Sequence, residues 1–152
     1  MELSEVTDAF VQSIDIHTVL PQQEPFVMVG RLVHFEMNSS TTETRVCEDN
    51  LFVENGFFSP CGMMENIAQT CASRIGFYNK YILGKDVQVG YIGAIRDYVI
   101  TGKAKVGSLL TTTVDVQEEV FGMTLATATV KCDGVVIASG QVKLAVKSNE
   151  EQ

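Results

Sequence analysis

The stretch Ser59-Pro-Cys-Gly-Met-Met-Glu-Asn-Ile-Ala-Gln-Thr-Cys-Ala72 constrains the fold more than any other part of the chain. Ser59 is a natural N-cap, and Pro60 suits the first helical position, where a missing N–H costs nothing. The helix is expected to run to about Tyr78. Between Cys61 and Tyr78 only Glu65 and Arg74 are charged, which is not the pattern of a solvated surface helix. Met64, Ile67, Ala68, Cys71, Ala72 and Ile75 recur at three-and-four spacing and are expected to form one apolar, core-facing stripe. Glu65 and Gln69, one turn apart, fall beside that stripe. The expected element is a core helix that presents a single carboxyl, Glu65, to a pocket. Burial disfavours the charged form of an acid, and a carboxyl poised in that way suits general acid/base chemistry near neutral pH. The plainer alternative is a first-turn glutamate that complements the helix dipole.

The rest of the chain alternates as strands do. Residues 16 to 26 carry two of the three prolines and read as a turn-rich lead-in with a short helix over 16 to 20. Phe26 to Glu36 is expected as a buried strand, followed through Met37-Asn-Ser-Ser40 by a more exposed partner from Thr41 to Glu48. Past a turn at Leu83-Gly-Lys-Asp86 come β-rich runs at Val87–Ile100 and Ser108–Val120. The pair Thr124–Cys132 and Val135–Val146 flanks Asp133-Gly134, a strong two-residue hairpin signal. Gly90 and Gly93 in the first run suggest a close approach by another element or a ligand. No second crossover helix follows residue 84, so a parallel sheet is disfavoured and an α+β arrangement is expected, one long helix packed on an antiparallel sheet. A chain of 152 residues, 45% hydrophobic, supports one core, and residues 1–152 are expected to form a single domain.

Composition excludes several classes of function. A formal charge of −8 argues against nucleic acid or an anionic membrane surface as partner. No apolar run approaches the roughly 18 residues of a membrane span, and MELSEVTDAF lacks a basic-then-apolar signal, so a soluble, cytoplasmic protein is expected. Cys47, Cys61, Cys71 and Cys132 lack a C-x-x-C spacing, and His17 and His34 complete no ligand set, so neither a metal nor another cofactor is expected. Cys61 near a helix N-terminus is a weak candidate nucleophile, since no histidine stands near it as a base.

Two segments carry a resemblance. Leu20-Pro-Gln-Gln-Glu-Pro-Phe-Val-Met-Val29 looks like the opening segment of the β-hydroxyacyl-acyl carrier protein dehydratases of fatty-acid synthesis, and Glu65-Asn-Ile-Ala-Gln69 resembles their helix motif. The resemblance spans about residues 16 to 146. It implies the hot-dog fold, a long helix wrapped by an antiparallel sheet, paired as a homodimer or with a related hot-dog subunit so that sites form between subunits. It also implies a (3R)-hydroxyacyl thioester of acyl carrier protein or coenzyme A as substrate, with Glu65 as the acidic catalytic residue and the Gly62 N–H as donor to the thioester carbonyl. Cys61, Met63, Met64, Gln69, Tyr91 and Gly93 would then line the substrate site, with an acyl tunnel walled by Met63, Met64, Ile67 and Tyr91 to Ala94.

The departure from the family is equally specific. Where those dehydratases carry a His-Phe-Pro segment ahead of the glutamate, this chain has Phe52-Val-Glu-Asn-Gly-Phe-Phe-Ser59, without histidine. Asn55 is expected near the vacant place, as a catalytic-site residue that would position a water or hydroxyl. The pattern is most similar to divergent, histidine-lacking dehydratase-like subunits of aryl polyene and related lipid synthesis. Three readings follow: a dehydratase, a non-catalytic subunit that completes a heteromeric one, or a thioesterase of the same fold in which one carboxylate activates water.

Overall fold

Alternating strands and one helix of small residues settle into a six-stranded antiparallel sheet with the helix laid against it. The computed structural model describes residues 1–88 and 90–146, apart from the side chains of Tyr91 and Val146. In chain order the elements are α1 (Asp8–Ser13), β1 (Arg31–Glu36), β2 (Ser39–Arg45), β3 (Val53–Glu54), β4 (Phe57–Phe58), α2 (Pro60–Phe77), β5 (Gly90–Ile100), β6 (Ala104–Lys105), β7 (Leu109–Val120), β8 (Met123–Cys132) and β9 (Val135–Val146). The large sheet has the order β1-β2-β7-β8-β9-β5, and β3, β4 and β6 form a small second sheet. This is the α+β hot-dog arrangement expected from the sequence. The β8–β9 hairpin turns at Asp133 and Gly134 with φ of 49° and 87°, as its Asp-Gly pair requires. A short 3₁₀ turn occupies Ile16–Thr18.

The start of α2 is built as its sequence dictates. Ser59 Oγ accepts the Gly62 N–H at 3.1 Å, with Pro60 in the first turn. Tyr98 of β5 donates its hydroxyl to the Pro60 carbonyl at 2.8 Å, tying the helix start to the sheet. Met63, Ile67 and Cys71 then pack against Leu110, Val114 and Val142 in the main core. At the other end a Cβ on Gly76 would lie 1.9 Å from the Val19 carbonyl oxygen, so only glycine lets the lead-in segment cross the helix there.

The helix turns a different face to the sheet from the one expected. Ile67 and Cys71 are buried, but Met64, Ala68, Ala72 and Ile75 are only half-buried, and the sheet-facing row includes Asn66, Thr70 and Ser73. Hydrogen bonds explain the choice. Asn66 Nδ2 donates to the Met28 carbonyl at 2.7 Å and to Thr44 Oγ1 at 3.1 Å, while its Oδ1 accepts from Thr112 at 2.6 Å. Thr70 and Thr42 hydroxyls meet at 2.9 Å. Every polar group on this row finds a partner on β2, β7 or its own helix, so burying it carries little desolvation penalty.

The strand expected from Phe26 starts only at Arg31. Phe26 and Met28 do not join a ladder because their backbone groups are taken by the side chains of Asn66 and Gln69. Phe26 itself is exposed rather than buried. The first β run after the helix likewise starts at Gly90, not Val87.

Candidate functional site

Two consequences of that helix rotation build the site. The half-buried row of α2 faces a cleft of about 260 Å³, and β5 and β9 close its far side. Ala68, Ala72, Ile75, Ile92 and Leu144 form apolar walls, and Glu65, Gln22 and Gln88 supply the polar groups. Small residues on the helix make the room. The stripe expected to pack the core is therefore in large part a cleft wall, while the polar row beside it meets partners on the sheet.

Glu65 sits on this cleft, half-buried rather than enclosed. Its orientation is set by Gln69, which is fully buried and satisfied at both ends of its amide. Gln69 Nε2 donates to Glu65 Oε1 at 2.9 Å and to the Phe26 carbonyl at 2.8 Å, and its Oε1 accepts the Met28 N–H at 2.7 Å. Gln69, expected at the substrate site, is thus a positioning residue that couples the carboxylate to the 26–28 segment. That segment was missed as part of the site, although the repeated Gln22-Gln23 before it, between two prolines, is a visible polar feature.

The other expected residues fall elsewhere. Asn55 lies at the tip of the β3–β4 hairpin with φ of 53°, followed by Gly56 at 84°. It is exposed and lines a separate cavity with Phe57, Pro60 and Lys103, not the cleft of Glu65. Asn-Gly is a turn pair, and that local requirement accounts for Asn55. Gly62 lies at the start of α2 and does not line the cleft: its N–H donates to Ser59 Oγ, and a Cβ there would lie 2.6 Å from the Phe58 ring and 2.7 Å from Phe52 Cβ, so aromatic packing calls for a glycine. Met63 is buried in the core, Cys61 is exposed, and Met64 is half-buried. Gly93 is exposed at an irregularity of β5, between Ile92 and Ala94 in the pairing with β9, where a Cβ would make only ordinary contact with the Lys143 carbonyl at 3.6 Å. The side chain of Tyr91 lies outside the described residues. A cleft does lie between helix and sheet, and of the residues expected to wall an acyl tunnel Ile92 lines it, together with Ala68, Ala72, Ile75 and Leu144.

Neither histidine reaches the cleft. His17 bonds Asp15 Oδ1 at 2.6 Å and Glu24 Oε1 at 2.9 Å, and both partners hold its pKa above the ordinary imidazole value, Glu24 most strongly. His34 bonds Asp8 Oδ1 at 2.7 Å and is likewise raised, chiefly by that bond. Burial pushes the Cys71 thiol up to about 12, which leaves it inert. Among the described residues no three His, Cys, Asp or Glu side chains group as a metal site. No helix among them is long and apolar enough to cross a membrane.

The profile of the ApeP-like family, described as ApeP dehydratase, matches residues 14–152. No curated protein matches the sequence. Among solved structures, the dehydratase heterocomplex ApeI:P from Xenorhabdus doucetiae aligns with a TM-score of 0.84 and 17% identity, covering 91% of this chain and 94% of that one. A hypothetical thioesterase with coenzyme A from Streptococcus pneumoniae aligns at 0.62 with 8% identity, covering 78% and 85%. A Streptococcus mutans protein bound to acetyl CoA aligns at 0.63 with 14% identity, covering 85% and 96%. At these identities the likenesses establish the fold.

Proposed function

The chain belongs to the ApeP-like dehydratase family, and on that premise we propose that it is the carboxyl-bearing subunit of a heteromeric hot-dog dehydratase acting on β-hydroxyacyl thioesters. The thioester is carried by acyl carrier protein or coenzyme A. One observation supports this above the rest: Glu65, aimed by Gln69, faces an apolar cleft whose lining contains no histidine among the described residues. Dehydration needs a base for the α-proton and an acid for the departing β-hydroxyl. Glu65 serves as the acid. Its proton passes to the hydroxyl oxygen as the Cβ–O bond breaks, water leaves, and the electron pair of the lost α-proton becomes the new double bond. The base comes from the second subunit.

Two features support a second subunit. β5 ends the sheet order, and its eleven residues leave one edge without a strand partner among the described residues. The similar Xenorhabdus doucetiae structure is itself a heterocomplex. The four cysteines are free, in keeping with a reducing compartment such as the cytoplasm.

The test is to assay the chain alone and co-purified with a histidine-bearing hot-dog subunit from the same genome, following enoyl thioester formation and free thiol release separately. Enoyl product from the pair and not from the chain alone is the expected result. Thiol release by the chain alone would favour the thioesterase reading, for which one carboxylate and a water suffice. Dehydration by the chain alone would remove the need for a partner base.

A further inference from the structure

Gln22 stands out in the cleft. It lines the same cleft as Glu65, and its Oε1 is buried with no hydrogen-bond partner among the described residues. The neighbouring amides differ: Gln69 is satisfied at both ends, and Gln88 Oε1 accepts from Asn79 at 3.4 Å. Buried acceptors are almost always paired, so one left unpaired in a cleft whose other polar side chains are Glu65 and Gln88 points to a partner that arrives with the ligand. The walls of Ala68, Ala72, Ile75, Ile92 and Leu144 offer no donor side chain.

Resting on the proposed thioester-binding cleft, we infer that Gln22 is a specificity residue whose amide oxygen accepts a hydrogen bond from the β-hydroxyl of the bound acyl chain. A carboxamide neither gives nor takes a proton at neutral pH, so Gln22 holds the hydroxyl while Glu65 protonates it. A substrate hydroxyl satisfies the buried oxygen. A saturated chain of equal length leaves it unpaired, and sites of this kind discriminate strongly against the analogue that lacks the hydroxyl. The lead-in segment is held for this task by the Met28 and Phe26 bonds to Gln69 and by the His17–Glu24 contact, all outside the cleft walls.

The experiment compares binding of β-hydroxybutyryl pantetheine and butyryl pantetheine, by calorimetry, to the chain in the assembly in which it purifies. Wild type should prefer the hydroxylated ligand by about tenfold or more. Gln22→Met, nearly isosteric and without the amide oxygen, should bind both ligands within about twofold of each other, with butyryl binding unchanged or tighter. Gln22→Ala repeats the comparison should the methionine variant fail to fold. A preference that survives in both variants would overturn the role of Gln22 while leaving the cleft assignment standing. Ala72→Phe separates the two ideas, because filling the cleft should abolish binding of both ligands. Undiminished binding to Ala72→Phe would place the thioester elsewhere and overturn the cleft assignment and the role of Gln22 together.

Discussion

Glu65 depends on Gln69 in a way that makes a measurable pair. Gln69→Leu keeps the volume but leaves the Met28 N–H and the Phe26 carbonyl without partners and frees the carboxylate. Each buried group left unpaired costs about 1–3 kcal/mol, so a clear drop in the urea midpoint is expected together with lost activity. Glu65→Gln, by contrast, should leave stability nearly unchanged. At the same scale His17 links pH to the lead-in segment. Its folded pKa is raised by Glu24 and Asp15, and that of Asp15 is lowered by its bond to His17. The His17 contribution is complete below the unfolded histidine pKa and is lost as pH rises through the raised value; the Asp15 contribution is present above the unfolded carboxyl pKa and is lost as pH falls through the lowered one. The stability difference between wild type and His17→Gln should therefore be largest in mildly acid solution and shrink on either side, as unfolding curves across pH will show.

At the scale of elements, α2 tests how a polar row can face a core. Thr112→Val leaves Asn66 Oδ1 unpaired at the helix–sheet interface and should cost about 1–3 kcal/mol. Thr42→Val with Thr70→Val removes both halves of one bond, and the double variant should lose less than the sum of the singles. Gly76→Ala should destabilise by about 1–3 kcal/mol or more, despite the roughly 1 kcal/mol that alanine gains in a helix, because the new methyl meets the Val19 carbonyl. These features also mark what the sequence could not disclose. Ser59-Pro60 and Asp133-Gly134 were legible because caps and turns are decided by neighbours in sequence. The face of α2 was not, because it depends on Thr42, Thr44 and Thr112, far away along the chain, meeting Asn66 and Thr70. The irregular path of 26–30 depends on side chains of α2 in the same way. Of the candidate site, Glu65 was legible as a lone acid in a small-residue helix, whereas the sequence does not disclose that Asn55 lines a separate cavity or that Gly62 packs against Phe52 and Phe58.

For the whole molecule, the β5 edge has no strand partner among the described residues and the α2 row is only half-covered by its own chain, and an assembly of at least two chains is expected by light scattering. A strict monomer at micromolar concentration, alone and with the partner, would contradict the shared site. The central claim is that Glu65 is the acid of a dehydration site completed by a second subunit. It is tested most directly by the rate at which the assembled pair converts a β-hydroxyacyl thioester to its enoyl product with wild-type chain and with Glu65→Gln. A loss of roughly a hundredfold or more is expected with the assembly intact, and an unchanged rate in the Glu65→Gln assembly would overturn the role of Glu65.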